Sequence, residues 1–424
     1  MAPPPVRETN NGFSNFRVVP HTGVIYVMER AASEGFVYGA EGWCNLGQGA
    51  PETGAMADSP PRLENIPVDL ATAEYSPVAG NRALREAVAE LYNSRYRGGK
   101  SSKYSWRNVA ISAGGRAGLT RVAAALGGIN LGHFLPDYTA YEELLDLFRS
   151  FVPIPIVNSQ LRLPRADELD FEIMSRGLGG ILLSNPVNPT GETVYGDELR
   201  QWLEVGRKRS CSLIFDEFYA HYLYGQAQKV EGLSSSAARY VGDVEKDQVL
   251  IIDGLTKNWR YPGLRLSWTI GPEEVIQKIA SAGSFLDGGA SHPIQMAALQ
   301  LIKKEVADNE ALAIQKEFGR KKDLIVETLE NWGWPIFREP QGGFYVFPCL
   351  KNLPEPLNDG QGFFEAALKH KVICVPGEFF DVNPGGRRHH ASRLKDYVRF
   401  SFGPEYDEVA EGLRRIKEMV DSYS

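Results

Sequence analysis

The chain has 424 residues, enough for two domains or for one large domain with an appendage, and 43% hydrophobic against 23% charged residues exclude a disordered or fibrous polymer. A net charge of -7 provides no field that would gather nucleic acid or an anionic membrane surface, and no apolar run of membrane-spanning length occurs. Four cysteines, Cys44, Cys211, Cys349 and Cys374, lack CxxC spacing, so neither a metal site nor a disulfide framework is expected. A reducing cytoplasm is the expected compartment, since MAPPPVRETNNG at the N-terminus has no apolar core of the signal-peptide kind.

Taken in order, residues 1 to about 15 are rich in Pro, Asn and Gly and read as a loose arm. The chain turns apolar from Val18 to Met28 and then reaches LGQGAPETG, Leu46 to Gly54. That glycine-rich loop either presents backbone N–H groups to an anion or is a plain surface turn. Leu84, Val88, Leu91 and Tyr92 at helical spacing, with Asn81 as a possible cap, predict an amphipathic helix entered through the loop bearing Tyr75. VAISAGGRAGLTRVAAALG follows: a short strand, the pair Gly114 and Gly115, and an Ala/Leu-rich helix. Strand, glycine turn and helix N-terminus favour a phosphate, although glycine is also the ordinary means of a tight turn.

Beyond this the chain alternates. HFLP (133–136) reads as a strand, YEELLDLF as a helix, VPIPIV as a proline-tolerant edge strand, GGILLS (179–184) as a buried strand, GDELRQWLEVGRKRS as a helix, and SLIFDEFY and QVLIIDG as further strands. Short apolar strands separated by helices imply a mostly parallel sheet covered on both faces, with ligands beyond the strands' carboxyl ends. Asp216 and Lys257 both fall at such ends. Beyond Pro272, two long helices (about 272–283 and 293–332) lead to GGFYVFP, a helix near Phe363 to His370, VICVP, a basic insertion, YVRFSF and a final helix with Val409, Leu413, Ile416 and Val420 in one stripe. These form a smaller α/β domain (321–424) that residues 1–50 help to complete, beside a large domain at 51–320.

The stretch DGLTKNWRYPGLRLSW, Asp253 to Trp268, carries the chemistry. Lys257 follows a buried strand, where desolvation disfavours its ammonium form. Arg265, eight residues on, offers a permanently charged fork for a phosphate. A partly neutral amine beside a phosphate anchor suits pyridoxal phosphate held as a Schiff base. Taken alone, the stretch reads equally well as a surface lysine and a structural arginine.

With SNPVNPTG (Ser184 to Gly191), FDEFY with Asp216 and Tyr219 three apart, and Arg399 in YVRFSF, the sequence resembles the class I and II aminotransferases of fold type I, from about Leu46 to the C-terminus. The resemblance implies a parallel sheet sandwiched by helices in the large domain. It implies that Lys257 binds the cofactor aldehyde and moves the substrate proton, that Asp216 pairs with the pyridine nitrogen, and that Asn188 and Tyr219 hydrogen-bond the ring's phenolic oxygen. The phosphate falls to the backbone at Gly115, Arg116 and Ala117 and to Arg265. Many relatives carry a serine three residues before the lysine; here that position is Gly254, and Thr256 is left to supply a hydroxyl. Tyr138 matches the aromatic that stacks on the ring. Tyr75 matches a tyrosine reaching the phosphate of a neighbouring subunit, which implies a homodimer. Arg399 is similar to the arginine that grips the substrate α-carboxylate, with the loop at Gly49 assisting.

The activity implied is transfer of an amino group from an L-amino acid to a 2-oxo acid by ping-pong turnover. The same fold also houses cyclases, oxidases and lyases, and transcription factors that keep it without turnover; the acidic chain and the short segment before the first motif disfavour the last. Two features stand outside the pattern. The insertion Asp381 to Asp396, with Arg387, Arg388, Arg393 and Lys395, reads as a solvated basic loop in preference to a side-chain carboxylate site. HTG at His21 to Gly23 reads as part of an N-terminal cover only by a remote analogy.

Overall fold

The computed structural model describes residues 23–157 and 160–423. Its strands are β1 (Cys44–Asn45), β2 (Val109–Ser112), β3 (Asn130–Phe134), β4 (Val152–Ile156), β5 (Leu178–Ser184), β6 (Ser212–Asp216), β7 (Val249–Gly254), β8 (Ser267–Ile270), β9 (Tyr345–Val346), β10 (Val372–Ile373), β11 (Val375–Pro376) and β12 (Val398–Ser401). Seven of them form one sheet in the order β2-β8-β7-β6-β5-β3-β4. Pairing is parallel from β7 to β4, and β8 is antiparallel to both of its neighbours, β7 and β2. Two antiparallel steps return β2 to the common direction, so its carboxyl end opens on the same side as those of β6 and β7.

Alternate residues of each strand feed separate cores. Ile181, Leu213, Phe215 and Ile251 pack on one face, and Leu182, Ile214, Leu250 and Ile252 pack on the other. Helices cover both, which is why these strands read as unbroken apolar runs. Pro153 and Pro155 lie on β4, at the sheet's edge, where a missing N–H is tolerated. The fold is therefore the mostly parallel, helix-sandwiched sheet expected.

A second core gathers Val27, Cys44 and Leu46 with Ile373, Phe400 and Val409. It contains the antiparallel sheet β11-β12-β9 and the parallel pair β1-β10. Two expectations need correction here. The segment expected as one helix over 293–332 is two, His292–Ala298 and Lys304–Asn331; between them the Leu301 carbonyl accepts the Trp259 indole N–H at 3.0 Å and is lost to the helical ladder. VICVP is also divided, because Val372 and Ile373 pair with β1 while Val375 and Pro376 pair with β12.

Candidate active site

The carboxyl ends of β2, β5, β6 and β7 meet at a cavity of about 450 Å3, within the usual range for a small-molecule site. Asp216 closes β6 and is 5% exposed. Tyr141, at the start of the helix Tyr141–Leu147, donates its hydroxyl to Asp216 Oδ2 at 2.9 Å. Burial pushes the Asp216 carboxyl up to about 6, against that hydrogen bond and the nearby Lys257. A cation or N–H facing this carboxylate would be strongly held.

Lys257 lies in the turn after β7 and donates Nζ to the carbonyl of Gly49. Burial, followed by the fields of Arg399, Arg265 and Arg116, lowers its ammonium to about 7, with only Asp216 opposing. Near neutrality a large fraction of this amine is unprotonated and nucleophilic.

Opposite stands an anion cradle. Gly114, at φ +88°, caps the helix Gly115–Ala125, which brings Arg116 and Ala117 into its first turn. A Cβ on Gly114 would sit 2.4 Å from Arg265 Nη2, so only glycine admits the guanidinium so close to the turn. The free backbone N–H groups and the helix dipole complement Arg265. Thr256 Oγ1 is buried and has no partner among the described residues, leaving a hydroxyl donor open. At Gly254 a Cβ would lie 2.5 Å from the Leu266 carbonyl and 2.6 Å from Ser267 Cα. The closeness of β8 thus excludes a serine there and leaves Thr256 as the hydroxyl nearest in sequence.

Arg399 enters from β12 with 1% exposure. Its Nη1 donates to Asn188 Oδ1 at 2.9 Å and its Nη2 to the Gly47 carbonyl at 2.8 Å. It lies over the rings of Tyr345 at 4.2 Å and Phe380 at 5.1 Å, and its Nε has no partner among the described residues. A buried guanidinium with an open donor can receive an anion such as a carboxylate. Asn188 is fixed by its own N–H on Ser184 Oγ at 3.0 Å. Tyr219 and Tyr345 place their hydroxyl oxygens 3.0 Å apart. Tyr138 lines the wall and accepts a hydrogen bond from Arg116 Nη2 at 3.3 Å.

The remaining residues fall as follows. Gly49 meets the cavity through its carbonyl, on Lys257, while Arg399 is held by Gly47. Ala117 and Tyr75 are not part of the cavity wall, and Tyr75 is 96% exposed. Sequence reasoning missed Tyr141, Tyr345, Gly47 and Val24, although PDYTAY and GGFYVFP were in view. In each motif the spacing to the neighbouring tyrosine or glycine was the available signal. The basic insertion is more than the solvated loop expected, because part of it is packed against the large domain. Arg388 pairs with Asp381 at 2.6 Å, Val382 is fully buried among Leu135 and Tyr141, and the Asn383 N–H donates to Glu142 at 3.0 Å. Arg387, Arg393 and Lys395 are exposed, outside the cavity. His21 lies outside the described residues. Among those residues no cluster of metal-ligating side chains occurs, and no helix is long and apolar enough to cross a membrane.

A depressed lysine, a buried carboxylate, an anion cradle and a carboxylate-seeking arginine at the ends of a parallel sheet define an amine-transferring enzyme. The chain belongs to the class I and II aminotransferases, whose family model matches residues 41–416. It is 24% identical over 384 residues to the aspartate aminotransferase of Pyrococcus horikoshii, covering 89% of this chain and 90% of that one. It is 28% identical to the (5-formylfuran-3-yl)methyl phosphate transaminase of Methanocaldococcus jannaschii over 82% of this chain and 83% of that one. Its fold is that of the Thermus thermophilus aspartate aminotransferase solved with maleate: TM-score 0.75, 22% identity, 94% of this chain and 97% of the other. It is therefore an enzyme, of a family that uses pyridoxal phosphate for transamination.

Proposed function

We propose that this aminotransferase moves the amino group of an L-amino acid bearing a second acidic group to a 2-oxo acid, with Lys257 as the amine that carries the cofactor. The observation on which this rests is a lysine lowered to about 7 in a wall that also holds Asp216 and Arg399. The residues fit pyridoxal phosphate: the backbone at Gly115 and Arg116, with Thr256 and the Arg265 guanidinium, would hold the phosphate, Asp216 the pyridine nitrogen, Asn188 and Tyr219 the phenolic oxygen, and Tyr138 the ring face. When bound, that cofactor supplies an electron sink for the carbanion formed at the substrate Cα.

The chain's own groups do the rest. Arg399 binds the α-carboxylate in a bidentate pair and so orients the Cα–H bond. Lys257 Nζ, neutral in a large fraction near pH 7, can accept that proton from the substrate Cα. The Asp216 carboxyl, at about 6, is largely ionised near pH 7 and would hold the N–H of the cofactor's pyridine ring. Among the described residues, three arginines border the cavity against one carboxylate. Arg265 answers the cofactor phosphate and Arg399 the α-carboxylate, which leaves Arg116 for a further anionic group; the aspartate aminotransferases among the relatives agree with this.

The same reading makes the active unit a homodimer, supported by Tyr75 (96% exposed), Leu70 (91%) and Val68 (69%) on one exposed stretch. It divides the chain into a large domain at 51–320 and a small one at 321–424 that residues 1–50 complete, supported by the core shared by Val27, Leu46 and Phe400. A reducing cytoplasm suits the free thiols Cys44, Cys211, Cys349 and Cys374.

The test is borohydride reduction of protein incubated with pyridoxal phosphate, followed by peptide mapping. Label on the Lys257 peptide, lost in Lys257→Ala, is expected, together with conversion of 2-oxoglutarate to glutamate when aspartate is supplied. Label elsewhere, or none, refutes the assignment.

A further inference from the structure

The Lys257 carbonyl and the Asn258 side chain and carbonyl are held by groups that do not line the cavity. The Lys257 carbonyl accepts the Tyr222 hydroxyl at 2.9 Å and the Arg260 N–H at 2.9 Å. Asn258 is wholly buried. Its Nδ2 donates to the Glu217 carbonyl at 2.9 Å and to Asp253 Oδ1 at 2.7 Å, and its Oδ1 accepts the His221 N–H at 3.0 Å. Both donors of the amide and one of its two acceptor positions are used. Its carbonyl lies 2.7 Å from His221 Nδ1.

The tautomer of His221 follows from its other side. Arg95 Nη1 lies 2.8 Å from His221 Nε2, and a guanidinium can only donate. Nε2 is then the acceptor and Nδ1 carries the proton, which it donates to the Asn258 carbonyl. Arg95 is itself held by Asp308, 3.0 Å from its Nε. Burial and the Arg95 charge keep His221 neutral well below its ordinary value, in keeping with that tautomer.

The partners of this lock are not scattered. Glu217 follows Asp216, and His221 is two residues beyond Tyr219. One buried amide and one imidazole therefore fasten the backbone of the lysine to the segment that carries the ring-binding groups. A lysine side chain has four rotatable bonds, so the reach of Nζ is fixed only as well as its Cα. Misplacement by about 1 Å can cost roughly 100-fold in rate.

We propose that Asn258 and His221 are positioning residues for proton transfer, holding Lys257 Nζ in register with the Asp216 and Tyr219 segment. This rests on Lys257 being the reacting amine. It is tested on the protein loaded with pyridoxal phosphate, using Asn258→Ala, His221→Ala, and His221→Asn, whose side-chain amide restores a donor where Nδ1 stood.

Both alanine variants are expected to take up the cofactor on Lys257, as borohydride mapping reads. Their single-turnover rate with an amino acid is expected to fall about 10- to 100-fold while KM stays within about threefold, the kinetic isotope effect from deuterium at the substrate Cα is expected to rise, and His221→Asn is expected to recover most of the rate. Should the alanine variants fail to fold, Tyr222→Phe keeps the ring between Phe318 and Phe344 and removes only the hydroxyl donor; a rate loss of about three- to tenfold at unchanged melting temperature supports the same lock. Unchanged rates and isotope effects in variants labelled on Lys257 overturn this proposal alone. So does a loss that tracks melting temperature and is not restored by His221→Asn. Label away from Lys257 in the unaltered protein overturns both readings.

Discussion

A single proton sets the behaviour of Lys257. Its folded value of about 7 lies below the ordinary lysine value of 10.5, so between those pH values the unfolded chain holds a proton that the folded chain has released. Stability then rises with pH across that window, and the cost of burying the amine is present in full below it. In the cofactor-free protein Lys257→Met is expected to stabilise by on the order of 2 kcal/mol at pH 7, an advantage that fades towards pH 10.5; denaturant unfolding at a series of pH values measures it. Arg116 is the second residue whose charge makes a separable difference. Arg116→Ala is expected to raise KM for aspartate about tenfold while changing KM for a neutral amino acid by less than about twofold, the loss of one charge-assisted pair. Equal effects on both substrates would assign the side chain to the cofactor phosphate instead.

At the level of elements, the cradle depends on the close approach of two turns, one after β2 and one before β8. Gly114→Ala adds a methyl group 2.4 Å from Arg265 Nη2 at a φ of +88°. It is expected to weaken pyridoxal phosphate binding at least tenfold, by absorbance titration, with little change in secondary structure by circular dichroism. The same closeness explains what the sequence made legible and what it concealed. Asp216, Lys257 and the glycine pair end apolar strands, and a strand's end is visible in the change from buried to polar residues. Tyr345 and Gly47 were not visible, because they join the site through β9 and the loop after β1, elements of two or so residues whose partners are remote in sequence. The Gly254 departure looked like a missing serine until the antiparallel β8 was seen pressed against it, an element concealed within the lysine stretch. The insertion looked solvated because its charges outnumber its apolar residues; one of those, Val382, anchors it on the helix Tyr141–Leu147.

For the molecule as a whole, the exposed Tyr75 leads to an expectation about mixed subunits. If Tyr75 serves a partner's site, Tyr75→Ala and Lys257→Ala, each weak or inactive alone, complement one another in hybrid dimers, where one site has both residues intact. Co-refolded equal mixtures are expected to regain roughly one quarter of unaltered activity by random pairing. No gain would place Tyr75 outside the site. A different consequence follows from the pairing of Cys44 with Val372 and of Asn45 with Ile373. Ribosomes deliver β1 early and its mate β10 late, so the strand must wait, unpaired, through most of translation while the seven-stranded sheet between them is already complete. Its thiol is buried in the finished protein but open to alkylation in stalled nascent chains that end before Val372. Protection of Cys44 should appear only when the tunnel has released β10, which makes this cysteine a clock for the last stage of folding.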